Sequence, residues 1–298
     1  MIKKETVTVE MDIDIYDIFR FCRIRETIRK NKENNNPDWY AGLDSFDVSK
    51  PEMDILQNSR MNNIFRDHDR VSKKLFSKVE GLDGRDLWRN LLIGRYMNRE
   101  DRIEEVFPLM SDDWYESTGW NEETPLFNTQ AYQIHPHACK KIFGVETSRE
   151  IIPLIHTKIT PTYEAVINSK SIKEASEAAN QAFGKYTLFP LFQSVLDLAT
   201  LKPHLIDPKS ECIVGQGAHA TFEALNMGLD DIASQARQLW PEHLEVRPDG
   251  LYEFDVENIM CEFRKFMQRQ RDGITTNRRY IAKQQKCDNN VTLDAFFG

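Results

Sequence analysis

The sequence is missing most of the features that assign a chain at a glance. No run approaches the ~18 consecutive apolar residues of a membrane helix, so no membrane span is expected. No CxxC pair occurs; the five cysteines, Cys22, Cys139, Cys212, Cys261 and Cys287, are scattered and odd in number. That pattern fits reduced thiols in a cytoplasm rather than a disulfide or zinc framework. The nucleotide P-loop, Gly-x-x-x-x-Gly-Lys-Ser/Thr, is absent, which excludes a kinase of that design. The first residues carry Lys3 and Lys4 but no apolar stretch, so no signal peptide is expected. Strand patterns are scarce, because only Val7–Ile13 alternates, with Val7, Val9, Met11 and Ile13 on one side. No internal repeat is present.

What remains is an ordinary globular composition, with 40% hydrophobic and 29% charged residues in a chain of 298. That length can bury a substantial core. The formal charge of −8 argues against a nucleic-acid partner only if the charges are evenly mixed, and they are not. Between Arg264 and Lys286 stand Arg264, Lys265, Arg269, Arg271, Arg278, Arg279, Lys283 and Lys286 against one acid, Asp272. A second basic cluster runs through Arg60, Arg66, Arg70, Lys73 and Lys74. Such stripes either hold phosphates at one surface or are solvated helix faces; charge alone leaves both open.

Helical periodicity dominates the pattern. Apolar spacing predicts helices over 14–30, 51–65, 67–79, 84–96 and 99–108 in the first part. Further helices are expected over 148–158, 160–168, 171–183, 188–198, 215–225, 229–240 and 256–271. Pro153 should kink or split the first of these. Ser171 and Glu174 have the spacing of a capping box. The expected fold is therefore all-α, with little or no sheet. A single domain over 1–286 followed by a tail over 287–298 is expected, with two lobes divided near 145–170 as the open alternative.

Several polar constellations interrupt this apolar scheme. Gly215 and Gly217 precede a run of small residues and a helix, a turn that brings backbone N–H groups close to an anion at a helix N-terminus. The same turn also serves as a plain interhelical connection, and the spacing does not choose between them. Arg60, Asn63, Arg66 and Asp69 recur in steps of three, which places them on one face of a helix as phosphate ligands or as an interhelical salt network. Arg95 and Asn98 repeat the pairing. Glu262 and Lys265 sit on an otherwise apolar helix, as a proton-transfer pair or a buried ion pair. Asp197, also on an apolar helix, is a candidate acid or an arginine-bridging group. His135 and His137 flank Pro136 without a third ligand at metal-binding spacing, so no metal site is expected.

In order and spacing these residues resemble the phage thymine-hypermodification family. That family comprises α-glutamyl/putrescinyl-thymine pyrophosphorylases (amino acid:DNA transferases) and the related helical domain of 5-hydroxymethyluracil DNA kinases. The resemblance is carried by Arg25, Ile28, the Arg60–Asp69 block, Arg95 with Asn98, Asp197, Gly215 with Gly217, and Cys261-Glu262-Phe263 with Lys265. It spans roughly residues 15 to 285, nearly the whole chain. Arg264 and Phe266 depart from it, standing where an acid and a tyrosine are expected.

The resemblance implies a helix–hairpin–helix, DNA-glycosylase-like fold and an enzyme that replaces the pyrophosphate of an activated 5-hydroxymethyluracil in DNA by an amine. The base must leave the stack of the double-stranded DNA. Arg60, Arg66, Arg95 and Arg279 would hold the anionic oxygens, Asn63 and Asn98 would read the uracil edge or orient an arginine, and Asp69 belongs to the same substrate- and phosphate-binding group. Gly215, Gly217 and His219 would contact the DNA backbone. Glu262 or Asp197, with Lys265, would take the proton of the incoming amine or amino acid. No cofactor is implied, although a pyrophosphate substrate commonly brings Mg²⁺. Excision of a modified base remains an alternative; its carboxylate should lie roughly 20 residues beyond the glycine turn, whereas Asp230 and Asp231 come sooner and Arg237 stands near that place. A non-catalytic DNA-binding adaptor is a third possibility.

The chain ends Asn290-Val-Thr-Leu293-Asp-Ala-Phe296-Phe297-Gly298. This is similar to the peptides by which replication proteins bind a sliding clamp, with Asn290 in the place of the usual glutamine. Leu293, Phe296 and Phe297 would share one side of a helical turn and fill an apolar pocket. A tail folded back on the body is the alternative.

Overall fold

The computed structural model describes residues 13–59, 61–106, 143–145, 150–184 and 188–273. Among these residues the chain forms eleven α-helices, three short 3₁₀ segments and no sheet, so the fold is all-α. It divides into two units. Unit 1 takes Met1–Arg66, Val214–Leu251 and Asp255–Gly298, and unit 2 takes Asp67–Ile213 with Tyr252–Phe254. The main boundaries between these units fall at Arg66/Asp67 and Ile213/Val214.

In unit 1, Asp14 opens α1 (Ile15–Glu33) with a capping box: its carboxylate accepts from the Asp17 N–H at 2.9 Å, and Asp17 answers at the Asp14 N–H. Ser49 and Glu52 do the same for α2 (Lys50–Asn58), whose first turn also carries Pro51. The later elements are α9 (Gln216–Leu225), α10 (Leu229–Leu239), a 3₁₀ turn at Pro241–Glu245, and α11 (Glu253–Asp272). Apolar side chains of α1 and α11 meet directly: Phe21 lies edge-on to Phe263 at 5.6 Å and beside Phe266 at 5.0 Å. Trp240, fully buried, stacks on Phe65 at 5.4 Å and closes the same core. Aromatic pairs of this kind add about 0.5–1.5 kcal/mol each beyond the area they bury.

The Arg20–Glu52 pair ties α1 to α2 at 2.8 Å. Burial alone would push the Glu52 carboxyl up, but the Arg20 guanidinium and the Ser49 N–H and hydroxyl outweigh it and hold the group at about 2. Because the folded value lies below the ordinary 4.5, this contact stabilises fully above pH 4.5 and is lost as pH falls toward 2. Acid unfolding followed by circular dichroism should therefore be less steep over that interval in Glu52→Gln, and an unchanged acid limb would contradict it.

Unit 2 is built around α4 (Gly84–Met97), in which every residue from Leu87 to Met97 is buried. It packs with α3 (Arg70–Lys78), α6 (Ile151–Ile167), α7 (Ile172–Phe183) and α8 (Leu188–Leu201), with α5 (Glu100–Val106) against α3. Helix α6 runs unbroken where two helices were expected. Pro153 falls in its first turn, where a missing N–H costs nothing, and Pro161 lies inside. Just after Pro161, the Thr162 hydroxyl donates to the Lys158 carbonyl at 2.6 Å and accepts from the Trp88 indole at 2.9 Å. Packing against α4 thereby holds the helix through a residue that would otherwise end it. At α7, Ser171 caps the Glu174 N–H as expected, but Glu174 reaches back to the Lys170 N–H.

Candidate functional site

Helix α11 carries a polar stripe through its apolar length. Glu257, Cys261 and Lys265 are spaced i, i+4, i+8 and share a face, with Glu262 and Asn258 beside them. Glu262 is 1% exposed. One of its oxygens accepts from Lys265, and the other accepts from the Asn62 backbone N–H at 3.0 Å. Asn258 donates to the Asn63 carbonyl at 3.0 Å and to the Ile64 carbonyl. From α1, the Arg25 guanidinium donates to the carbonyls of Met61 and Asn62 at 3.3 and 3.2 Å.

These contacts explain why the expected helix over 51–65 stops at Asn58. Three side chains from α1 and α11 satisfy the backbone groups of 61–64, so this segment needs no helical ladder. Asn63 and Arg66 consequently do not share a helix face with Asp69. Asn63 meets α11 through its carbonyl, Arg66 begins a 3₁₀ turn, and Asp69 is the N-cap of α3, accepting from the Val71 and Ser72 N–H groups. Arg60 lies outside the described residues.

The electrostatics of the stripe are uneven. Burial pulls the Arg25 guanidinium down from its ordinary value, with Glu262 as the first charge to counter it. Burial also works against the Lys265 ammonium, but Glu262 and Cys261 outweigh it and the net movement is upward. The Glu257 carboxyl goes up because burial dominates, against the Gly215 N–H, Arg66 and Lys265, and with Glu262 adding repulsion. Burial likewise raises the Cys261 thiol.

The two glycines stand where α9 begins against this stripe. Gly215 is the N-cap, and its N–H donates to Glu257 at 3.2 Å. A Cβ at Gly215 would come within 2.9 Å of the Glu257 carboxylate oxygen, and one at Gly217 within 2.7 Å of the Cys261 sulfur. The glycines thus permit a close crossing of α9 over α11, and a carboxyl group already occupies the anion-seeking Gly215 N–H. His219 is exposed, with Nδ1 3.4 Å from Glu223.

Asp69, Arg95, Asn98 and Asp197 belong to unit 2. Arg95 grips Asp197 with two N–H groups, one of them at 2.6 Å, and donates to the Ser72 hydroxyl at 2.7 Å. All three side chains are buried. Asn98 ends α4 in the left-handed conformation, φ 45°, with its N–H on the Gly94 carbonyl at 2.8 Å. That conformation suits asparagine better than most residues.

The candidate residues therefore separate into Asn63, Arg66, Gly215, Gly217, His219, Glu262 and Lys265 in unit 1, and four others in unit 2. Arg279, Leu293, Phe296, Phe297, His135 and His137 lie outside the described residues. Sequence reasoning missed Glu257, although its i, i+4, i+8 relation to Cys261 and Lys265 was visible. It missed Asn258 and the Asn62 N–H, because contacts with a segment about 200 residues away leave no local signal. Among the described residues no three histidines, cysteines or acids gather to hold a metal, and no helix is long and apolar enough to cross a membrane. Cys22, Cys212 and Cys261 are free thiols. Compared with protein-family models, curated proteins and solved structures, the chain matches none.

Proposed function

We propose that this chain is a DNA-base-modifying transferase, in which unit 1 exchanges the pyrophosphate of an activated 5-hydroxymethyluracil for an amine. The reading is supported chiefly by one observation: a buried acid, Glu262, pairs with Lys265 on α11 and lies near the Arg25 guanidinium of α1, and α11 also packs against the twin-glycine start of α9. An acid and several cations held away from water suit a reaction that releases an anion and a proton together.

In this reading the amine nitrogen attacks the CH₂ carbon attached to uracil. The C–O bond to pyrophosphate breaks, its electron pair leaves on oxygen, and Glu262 takes the proton released from the amine. Lys265 and Arg66 stabilise the departing charge. Arg95 and Asp197 hold unit 2 together rather than perform this step, since each satisfies the other. Mg²⁺ would come in on the pyrophosphate, because the described acids do not gather into a ligand set for it. The C-terminal peptide, through Leu293, Phe296 and Phe297, would tether the enzyme to a replication clamp in the host cytoplasm.

The protein is to be incubated with DNA carrying pyrophosphorylated 5-hydroxymethyluracil and a mixture of amino acids and polyamines, and the nucleosides analysed by mass spectrometry. A new amine adduct is expected; abasic sites or unchanged DNA would overturn the reading. Replacing Phe296 and Phe297 by Ala should abolish clamp pull-down and leave adduct formation intact. Clamp capture by that variant would remove the tether from the proposal.

A further inference from the structure

Four buried arginines each hold a carboxylate. Arg89 lies 3.1 Å from Asp86, Arg99 2.6 Å from Asp101 and Arg247 2.7 Å from Asp255, while Arg95 grips Asp197. Arg25 is buried as deeply, at 8% exposed, yet among the described residues it forms no ion pair. Its two hydrogen bonds both leave from Nη2, to the Met61 and Asn62 carbonyls. Nε is buried without a partner, and Nη1 donates to nothing among the described residues but is not sealed from water. The nearby carboxylates are committed elsewhere: Glu26 to Arg29 at 2.8 Å, and Glu262 to Lys265 and the Asn62 N–H. Both act on Arg25 from beyond ion-pair distance.

A guanidinium taken this far out of water is costly unless an anion meets it. The surroundings are not closed core, because Asn62 is exposed and Met61 and Tyr40 are only half-buried. Glu262 decides the kind of anion. It holds the N–H of Asn62 while Arg25 holds the carbonyl of the same residue, so a cation and an acid flank one residue. A polyanion such as pyrophosphate on Arg25 would meet the Glu262 charge alongside. A small molecule with a carboxylate and an amine on neighbouring atoms satisfies both groups. We infer that Arg25 is the seat for the carboxylate of an α-amino acid whose amino group lies toward Glu262.

Under the transferase reading, on which this role in catalysis rests, the amine donor is an amino acid and not a polyamine. With the carboxylate on Arg25, the nitrogen is presented on the side of Glu262, the proton acceptor of that reaction. Arg66 and Lys265 are left for the departing pyrophosphate. Arg25 is thus a specificity residue: it binds the donor and takes no proton. A polyamine offers only cations, which Arg25 repels, so discrimination comes from repulsion as well as from the new contact.

Calorimetric titration of the full chain, without DNA, compares glycine, acetate and methylamine. Glycine carries both groups and no side chain to fit; acetate has only the carboxylate, and methylamine only the amine. Glycine should bind about tenfold more tightly than either. Arg25→Met should lose about ten- to a hundredfold in glycine affinity, and Arg25→Lys, which keeps the charge but not the planar fork, should fall between. Urea unfolding should show Arg25→Met at least as stable as the wild type, because it removes a buried charge that has no carboxylate, so the loss reads as binding and not as unfolding. Absence of glycine binding, acetate binding as tightly as glycine, or equal glycine affinity in wild type and Arg25→Met would overturn the inference. Adduct formation on DNA is measured separately. Glycine held through Arg25 without any adduct would end the transferase reading and leave the seat; glycine adducts formed at the normal rate by Arg25→Met would end the seat and leave the transferase.

Discussion

Asp197→Ala is expected to cost about 3–5 kcal/mol, enough to unfold much of the protein at ordinary temperature. Arg95 is 1% exposed and Asp197 3%, and no water reaches the guanidinium to replace the lost carboxylate. Removing the acid would leave a cation buried in the last turn of α4, facing the neutral Ser72 hydroxyl. The strain would spread along a connected path: Asp69 caps α3 at the Ser72 N–H, Ser72 accepts from Arg95, and Arg95 holds Asp197 on α8. The double variant Arg95→Met with Asp197→Leu should be far less damaging, because it removes both charges and their desolvation together. Urea unfolding read by far-ultraviolet circular dichroism gives the comparison. If the single and double variants were equally unstable, loss of packing rather than an orphaned charge would govern the site.

This case shows what the sequence could and could not reveal. Apolar periodicity located most of the helices, since most of them bury one side whatever their neighbours, while α4 is buried all round from Leu87 to Met97. Caps were legible for the same reason: Ser171 acts on the N–H three residues ahead. Asp197 was readable as an acid on an apolar helix and so as a group needing a partner, but nothing local identified Arg95, about 100 residues away, as that partner. The Arg60–Asp69 block misled for a related reason. Its steps of three satisfy a helical rule, yet Arg25, Asn258 and Glu262 take the backbone groups that a helix would have used. Tertiary hydrogen bonds outweighed local spacing. The interleaved units were hidden too, because α1 and α11 meet from opposite ends of the chain. At the glycines, the pattern indicated a close approach. The structure shows that the approaching groups are Glu257 and Cys261, on a helix that follows about 40 residues later.

Glu262 allows structural and chemical roles to be separated, and the second large effect is expected there. Glu262→Ala should destabilise the protein by about 3–5 kcal/mol, because Lys265 and Arg25 would lose their shared anion and the Asn62 N–H its acceptor. Such a variant says little about chemistry. Glu262→Gln keeps the shape and an oxygen for the Asn62 N–H, so its cost should be lower, about 1–3 kcal/mol. It cannot, however, take a proton from an attacking amine. Under the proposed reaction the glutamine variant should remain folded, with adduct formation slowed about 10²–10⁴-fold, the range expected when general base catalysis is removed. Combining Glu262→Gln with Lys265→Met should restore stability by removing the unpaired ammonium, while activity stays low. A folded Glu262→Gln variant that modifies DNA at the normal rate would reduce Glu262 to a strut between α11 and the 61–64 segment, and the proton acceptor would have to be found elsewhere.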